Sequence, residues 1–223
     1  MNYAKKLLNG LLSVTLVYNN PAMGQTTVET TAAKCSGIWS ASSTVVADID
    51  SPSKEIPSMN GKTRIKVIDS ALWLETDRGR RWSLDVYLNP PLTEIIWASD
   101  SSKFAVNASD GGIVGGWDFS IFSARSNGPK KIDSYAGVHG LAVQLPHCEE
   151  KEVPNFAAVA WIHGDRELLL VAEVPPHSSC SNMGALVGYR LSANTGRVLE
   201  LLPQKRLFKE FGSLLGCRIR QDP

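Results

Sequence analysis

No Gly-x-Ser-x-Gly run occurs in the 223 residues, so the sharp strand-to-helix turn that exposes a hydrolase serine has no basis in this sequence. Neither sign of charge dominates. The chain has 23 Lys and Arg against 22 Asp and Glu, a formal net charge of +1. Such a balance excludes the electrostatic footprint of a nucleic-acid binder and the polybasic patch that anionic lipid attracts. Cysteine is sparse, at four residues. No apolar run reaches the ~20 residues that a membrane-spanning helix needs. No loop carries the full ligand set and glycine of a calcium site, although Asp48 and Asp50 have suitable spacing.

What is present begins at the N-terminus. Lys5 and Lys6 precede a short apolar core, Leu7 to Tyr18, followed by Pro21 and the small-residue pattern Ala22-Met23-Gly24. This order is that of a secretory signal peptide, with cleavage expected before Gln25. The expected organisation is therefore residues 1–24 as signal peptide and residues 25–223 as a single β-rich domain. Loss of Lys5 and Lys6 takes the formal charge from +1 to −1. The expected compartment is the periplasm, or else the extracellular space. Both are oxidising, and an even cysteine count then predicts two disulfides. Of the three connectivities, the expected one is Cys148–Cys180 with Cys35–Cys217, the second tying the chain ends together.

From Lys62 onward the periodicity is that of strands. Arg64-Ile65-Lys66-Val67-Ile68 alternates, Ala71 to Glu75 follows, Asp77-Arg78-Gly79 is a turn, and Arg81 to Val86 returns. Ile38 to Ile49 carries a mixed strand-like run, and the Pro/Ser-rich stretch 51–61 reads as a loop. Two later groups look like copies of one unit. Trp97 precedes Phe104 by seven residues, as Trp161 precedes Leu168; Gly128 and Gly196 close corresponding later turns. After Pro203, residues Leu207, Phe208, Phe211, Leu214 and Leu215 recur at helical spacing and predict a short helix ending near Gly212 or Gly216. The fold class expected is mainly β, antiparallel, with propeller-like hairpin repeats and a short C-terminal helix; a β-sandwich accommodates the same strands.

The segment Trp97-Ala98-Ser99-Asp100-Ser101-Ser102-Lys103-Phe104-Ala105-Val106 resembles the Trp-Ser-Pro-Asp-Gly-x-x-Ile-Ala-Phe segment of TolB-like β-propeller repeats. Leu191 to Val198 is similar to the strand-turn-strand end of such blades. The usual Pro and Gly of the first turn are replaced by Ser99 and Ser101. The resemblance covers about half the chain, with a partial third copy over residues 62–90. It implies blade-like sheets that present loops to partners.

Chemistry-bearing residues concentrate in Pro175-Pro176-His177-Ser178-Ser179-Cys180-Ser181-Asn182. A serine-rich loop between two strands, held by a cysteine, is a candidate binding element, with His177, Ser178, Ser179 and Asn182 as its contact residues. The same loop supplies the types for a hydrolase if Ser178 or Ser179 meets His163 or His177 and Asp165. Ser51-Pro52-Ser53-Lys54 matches Ser-x-x-Lys in letters, but Pro52 places it in a loop. His147, Cys148, His177 and Cys180 are zinc-ligand types, although oxidised cysteines cannot serve. Glu149, Glu150 and Glu152 read as a solvated stretch, and His139 as structural. Six tryptophans leave a glycan-binding or cell-wall-binding face as a further alternative. The expected function is that of an exported, non-enzymatic protein that binds another protein. A narrower form is an immunity or inhibitor protein for a secreted effector. No cofactor or metal is expected.

Overall fold

Alternating apolar residues drive this chain into three antiparallel meanders that stack face to face. The computed structural model describes residues 37–47, 52–112, 115–142, 145–148 and 152–220, all within the unit Cys35–Pro223. The expected signal peptide, Cys35 and residues 48–51 lie outside the described residues.

A two-residue strand, β1 (Thr44–Val45), comes first in the chain. The first meander follows: β2 (Ile56–Pro57), β3 (Thr63–Ile68), β4 (Ala71–Thr76) and β5 (Arg81–Ser83), neighbours in that order. The second consists of β6 (Thr93–Trp97), β7 (Lys103–Ser109), β8 (Trp117–Arg125) and β9 (Gly128–Ile132), with β1 added beside β6. A helix, α1 (Tyr135–Ala142), leads to the third: β10 (Asn155–Ile162), β11 (Glu167–Glu173), β12 (Leu186–Ser192) and β13 (Val198–Pro203). The chain then forms α2 (Gln204–Phe211), a single 3-10 turn, and α3 (Cys217–Arg220). Among the described residues, no helix is long and apolar enough to cross a membrane.

Burial shows the layering. In β6, successive residues Ile95 and Ile96 are each 1% exposed. Successive strand residues face opposite sides, so the second sheet is covered on both faces. One face carries Ile95, Trp97, Phe104, Val106 and Phe122 against Ile65, Leu72 and Leu74 of the first sheet. Phe104 stacks on Phe122 at 5.1 Å, and Trp97 tilts onto Phe104 at 4.9 Å. The other face carries Ile96, Ala105, Phe119 and Ile121 against Phe156, Ala158, Leu168, Leu170 and Tyr189 of the third sheet. The far face of the third sheet packs on Trp39, Leu207, Leu215 and Ile219. No core cluster among the described residues joins the first sheet to the third. Among the described residues the two outer faces of the stack are finished differently. Helices cover one end. On the other, Glu75 is surrounded by Arg64 (3.0 Å), Lys66 (3.1 Å) and Arg81 (2.5 Å).

The repeat seen in the sequence is a repeat of register. Trp97 lies directly opposite Phe104, and Trp161 directly opposite Leu168. The paired glycines are also equivalent in their contacts. A Cβ on Gly128 would lie 2.9 Å from the Trp82 indole of the preceding sheet. One on Gly196 would lie 2.2 Å from the Asp133 carbonyl, just after the last strand of the preceding sheet. Both have positive φ, 119° and 69°, where a side chain is strained in any case.

Local expectations needed adjusting in four places. The Pro/Ser-rich stretch contains β2, whose Ile56 is buried; it completes the partial copy as a four-stranded sheet. Of the run from Ile38, the described residues form the strand β1 alone. The return strand expected through Val86 stops at Ser83. Helix α1 was not legible, because Gly137 and Gly140 lower its propensity. It forms because Val138 and Ala142, four residues apart, are both fully buried in the core between the second and third sheets.

The predicted C-terminal helix is α2, and Leu207, Phe208, Phe211, Leu214 and Leu215 all join one core with Trp39. Its continuation binds the N-terminal segment by backbone hydrogen bonds. Gly216 N–H donates to the Trp39 carbonyl (2.7 Å), Arg218 N–H to Ile38 (2.9 Å), and Ala41 N–H to Leu214 (2.9 Å). Cys217, in the middle of this contact, is disulfide-bonded.

Candidate functional site

The hairpin turns at one end of the stack are tied to each other in series. Asn60 N–H donates to Ser101 Oγ at 3.0 Å, linking the first and second sheets. Ser99 Oγ (2.5 Å) and Asp100 N–H (3.0 Å) both donate to Asp165 Oδ2, linking the second and third. Trp161 Nε1 donates to the Ile96 carbonyl at 3.0 Å. Asp165 thus holds two turns together. His163 lies 3.2 Å from Glu167 through Nδ1, so neither residue of this turn is arranged as a triad member.

The 174–185 loop lies past the other end of β11, about 23 Å from His163 at ~3.3 Å per residue along a seven-residue strand. The proposed Ser178–His163–Asp165 set is therefore not brought together. Within the loop, Ser178 Oγ donates to the Pro175 carbonyl at 2.7 Å, a local turn. Asn182 is a clamp. Its Nδ2 donates to the Leu145 carbonyl and its Oδ1 accepts from His147 N–H, both at 2.8 Å. Ser181 N–H adds a bond to the His147 carbonyl at 2.9 Å. Beside these bonds sits the expected Cys148–Cys180 disulfide. The sulfurs that sequence reading weighed as zinc ligands are thus consumed, and among the described residues no three His, Cys, Asp or Glu side chains converge to hold a metal. His177, Ser179 and Met183 are left exposed on the clamped loop.

A cleft of about 260 Å³ opens at the same end, between the linker before β6 and the connector before β10. Trp117 and Phe156 form its buried walls, and Tyr87 (61% exposed) and Val153 (59%) stand at its mouth. His139 from α1 lies against Phe156 with ring centroids 4.0 Å apart, and its Nε2 is 3.8 Å from Asp118 Oδ1. Asp110 adds a second carboxylate to the lining.

Trp117, the floor of the cleft, is held from behind. Its ring meets Trp39 edge-on at 5.7 Å, and its backbone N–H donates to Asn155 Oδ1 at 3.0 Å. Asn155 Nδ2 then donates to Glu173 (2.9 Å), which also receives Arg218 of α3 (2.7 Å), whose guanidinium lies 4.7 Å over the Trp39 ring. A second buried network, centred on the wholly buried Glu94, fastens the N-terminal segment. Its carboxylate accepts from Ile38 N–H (2.8 Å), Trp39 N–H (3.1 Å), Ser43 Oγ (2.5 Å) and Asn107 Nδ2 (2.8 Å). Asn107 also satisfies both backbone groups of Ala158 on the edge strand β10, at 2.7 Å each.

Sequence reading found the loop and its staple but missed Tyr87, Trp117, His139 and Val153 as one cleft. These four come from segments up to 66 positions apart, and nothing in their spacing marks them. The only available signal was an aromatic residue, Tyr87, beside the strand-breaking Asn89-Pro90-Pro91. No protein-family model, curated protein or solved structure matches this chain.

Proposed function

We propose that this chain is an exported, non-enzymatic protein that binds another protein through the clamped loop end of its sheet stack. One observation carries the reading. Of the seven large apolar side chains that are exposed among the described residues, four are Tyr87, Leu141, Val153 and Met183. Two of these stand at the mouth of the aromatic-floored cleft, and Met183 lies on the loop stapled at Cys180. Apolar side chains on pre-ordered loops are what a protein interface uses as anchors. A cross-linked surface loses little conformational entropy on docking, which suits the narrower reading of an inhibitor that holds a secreted effector. The resemblance to TolB-like blades belongs to the same proposal, as rigid sheets that hold loops in place. The periplasm is the compartment proposed, with release outside the cell as the alternative.

The test compares affinity capture from the native envelope fraction by the oxidised wild type and by Tyr87→Ser/Val153→Ser. The wild type should recover one partner stoichiometrically. The variant should lose about tenfold in affinity or more at unchanged thermal stability. Equal recovery by both removes the cleft as the site. Ester or peptide hydrolysis that disappears in Ser178→Ala/Ser179→Ala replaces binding with the hydrolase reading.

A further inference from the structure

A second cleft, of about 390 Å³, lies where the second sheet extends past the cover of the third. Lys103, Ser123 and Lys130 form one row across β7, β8 and β9, in register. They are on the face of the sheet that, further along the strands, carries Ala105 and Ile121 against the third sheet. Arg125 occupies the next row on that face, and Lys131 adds a fourth cation to the lining. The opposite wall is the turn containing Asn194 and Thr195.

The cations here are largely unpaired. Elsewhere Arg64, Lys66, Arg81, Arg190, Arg206 and Arg218 each sit in an ion pair with a carboxylate. Among the described residues, Lys103, Arg125, Lys130 and Lys131 sit in none. Lys103 Nζ lies 3.2 Å from Ser102 Oγ, and its charge contributes to lowering Asp100. Asp133 is the single carboxylate in the lining. A chain with a formal charge of only +1 therefore places three unpaired cations, Lys103, Arg125 and Lys130, on one face of the second sheet at this cleft.

The arrangement selects among anions. None of the four cations is buried, so the enclosed, desolvated cradle of a small-anion site is lacking. Nor do they form a long stripe, as a polynucleotide groove does. The backbone positions of Lys103 and Lys130 lie about 10 Å apart across the strands, and the row holding Arg125 lies about 7 Å further along, from the spacings of a sheet. The latter is the repeat of alternate side chains in an extended peptide, and Ser123, Asn194 and Thr195 offer hydrogen bonds between the charges. We propose that this cleft binds an extended acidic segment of a partner protein. The surface is separate from the Tyr87 cleft, and the proposal does not depend on it.

The experiment titrates the oxidised full chain into a fluorescein-labelled octapeptide of alternating Glu and Ser, with the Lys/Ser octapeptide and a dT12 oligonucleotide as controls. The wild type should prefer the acidic peptide, and raising the salt concentration should weaken binding. Lys103→Glu/Lys130→Glu should weaken it about tenfold or more at unchanged melting temperature, whereas Tyr87→Ser should leave it intact. Equal affinity in the charge-reversed variant overturns the proposal. So does tighter binding of dT12, which would make the cleft a nucleic-acid site. Displacement of the peptide by millimolar inorganic phosphate or free glutamate overturns it as well, by showing a small-anion site.

Discussion

Glu75 and Glu94 are both nearly removed from water, at 3% and 0% exposure, yet their surroundings push them in opposite directions. Burial alone would raise Glu75, but Lys66, Arg81 and Arg64 outweigh it and hold the carboxyl at about 2. The folded state therefore binds the proton more weakly than the unfolded chain. The stabilisation is present above about 4.5 and is lost as pH falls toward 2. Melting temperature measured from pH 7 to 2 should drop through that window in the wild type and follow a flatter course in Glu75→Gln; superimposable slopes would show that the ion cluster is inert. Burial pushes Glu94 up, and its donors Ser43, Asn107, Ile38 and Trp39 counter this only in part. The sign reverses. The folded state holds the proton more tightly than the unfolded chain, so this group lowers stability as pH rises above about 4.5. Glu94→Gln should remove that slope. It also turns one acceptor oxygen into a donor facing two donors, so urea unfolding at neutral pH should reveal a loss of about 1–3 kcal/mol. A variant as stable as wild type would mean that the N-terminal segment is held by other contacts.

Single elements owe their form to the neighbours they meet. Gly164 and Gly196 occupy turns of the third sheet with nearly equal φ, 67° and 69°. A Cβ on Gly164 meets nothing within 4 Å, whereas one on Gly196 collides with the Asp133 carbonyl at 2.2 Å and Ser134 Cβ at 2.8 Å. Gly164→Ala should cost only the left-handed backbone strain, about 1 kcal/mol. Gly196→Ala should cost about 3 kcal/mol or more, because backbone rather than a flexible side chain must move. Equal urea midpoints for the two variants would place the second and third sheets further apart than described. Helix α1 obeys the same logic. Its own residues argue against a helix, and the fully buried Val138 and Ala142 account for it. By contrast, α2 carries its instructions within itself, with Pro203 at its start and an apolar stripe that includes Leu207.

At the scale of the molecule, each sheet shares a core only with its neighbours among the described residues, as in a stacked repeat. Such a stack must finish its outer faces, and here charge finishes one and helices the other. The Cys148–Cys180 staple closes a 32-residue separation outside these cores. Cys148→Ser/Cys180→Ser should therefore lower stability by roughly 3–4 kcal/mol in the chain-entropy model. Hydrogen exchange should quicken in the 174–185 loop while protection in β11 and β12 persists. Loss of protection throughout the third sheet would make the staple part of the core. The sequence by itself determined the strands of the later groups, the repeated Trp97/Phe104 and Trp161/Leu168 spacing, the C-terminal helix and the expectation of paired cysteines, Cys148–Cys180 being one of three connectivities. Each depends on residues close in the chain or on a parity rule: alternation in a strand, the 3.6-residue stripe of a helix, an even number of thiols. Tertiary structure alone decided that the Pro/Ser-rich stretch supplies a strand, that α1 exists, that Asp165 fastens turns rather than polarising His163, and that Asn182 clamps the loop. It also assembled Tyr87, Trp117, His139 and Val153 into one cleft, and Lys103, Arg125 and Lys130 into another. The physical reason is common to all of these. Their roles are set by contacts between distant segments, and such contacts leave no local periodicity to read.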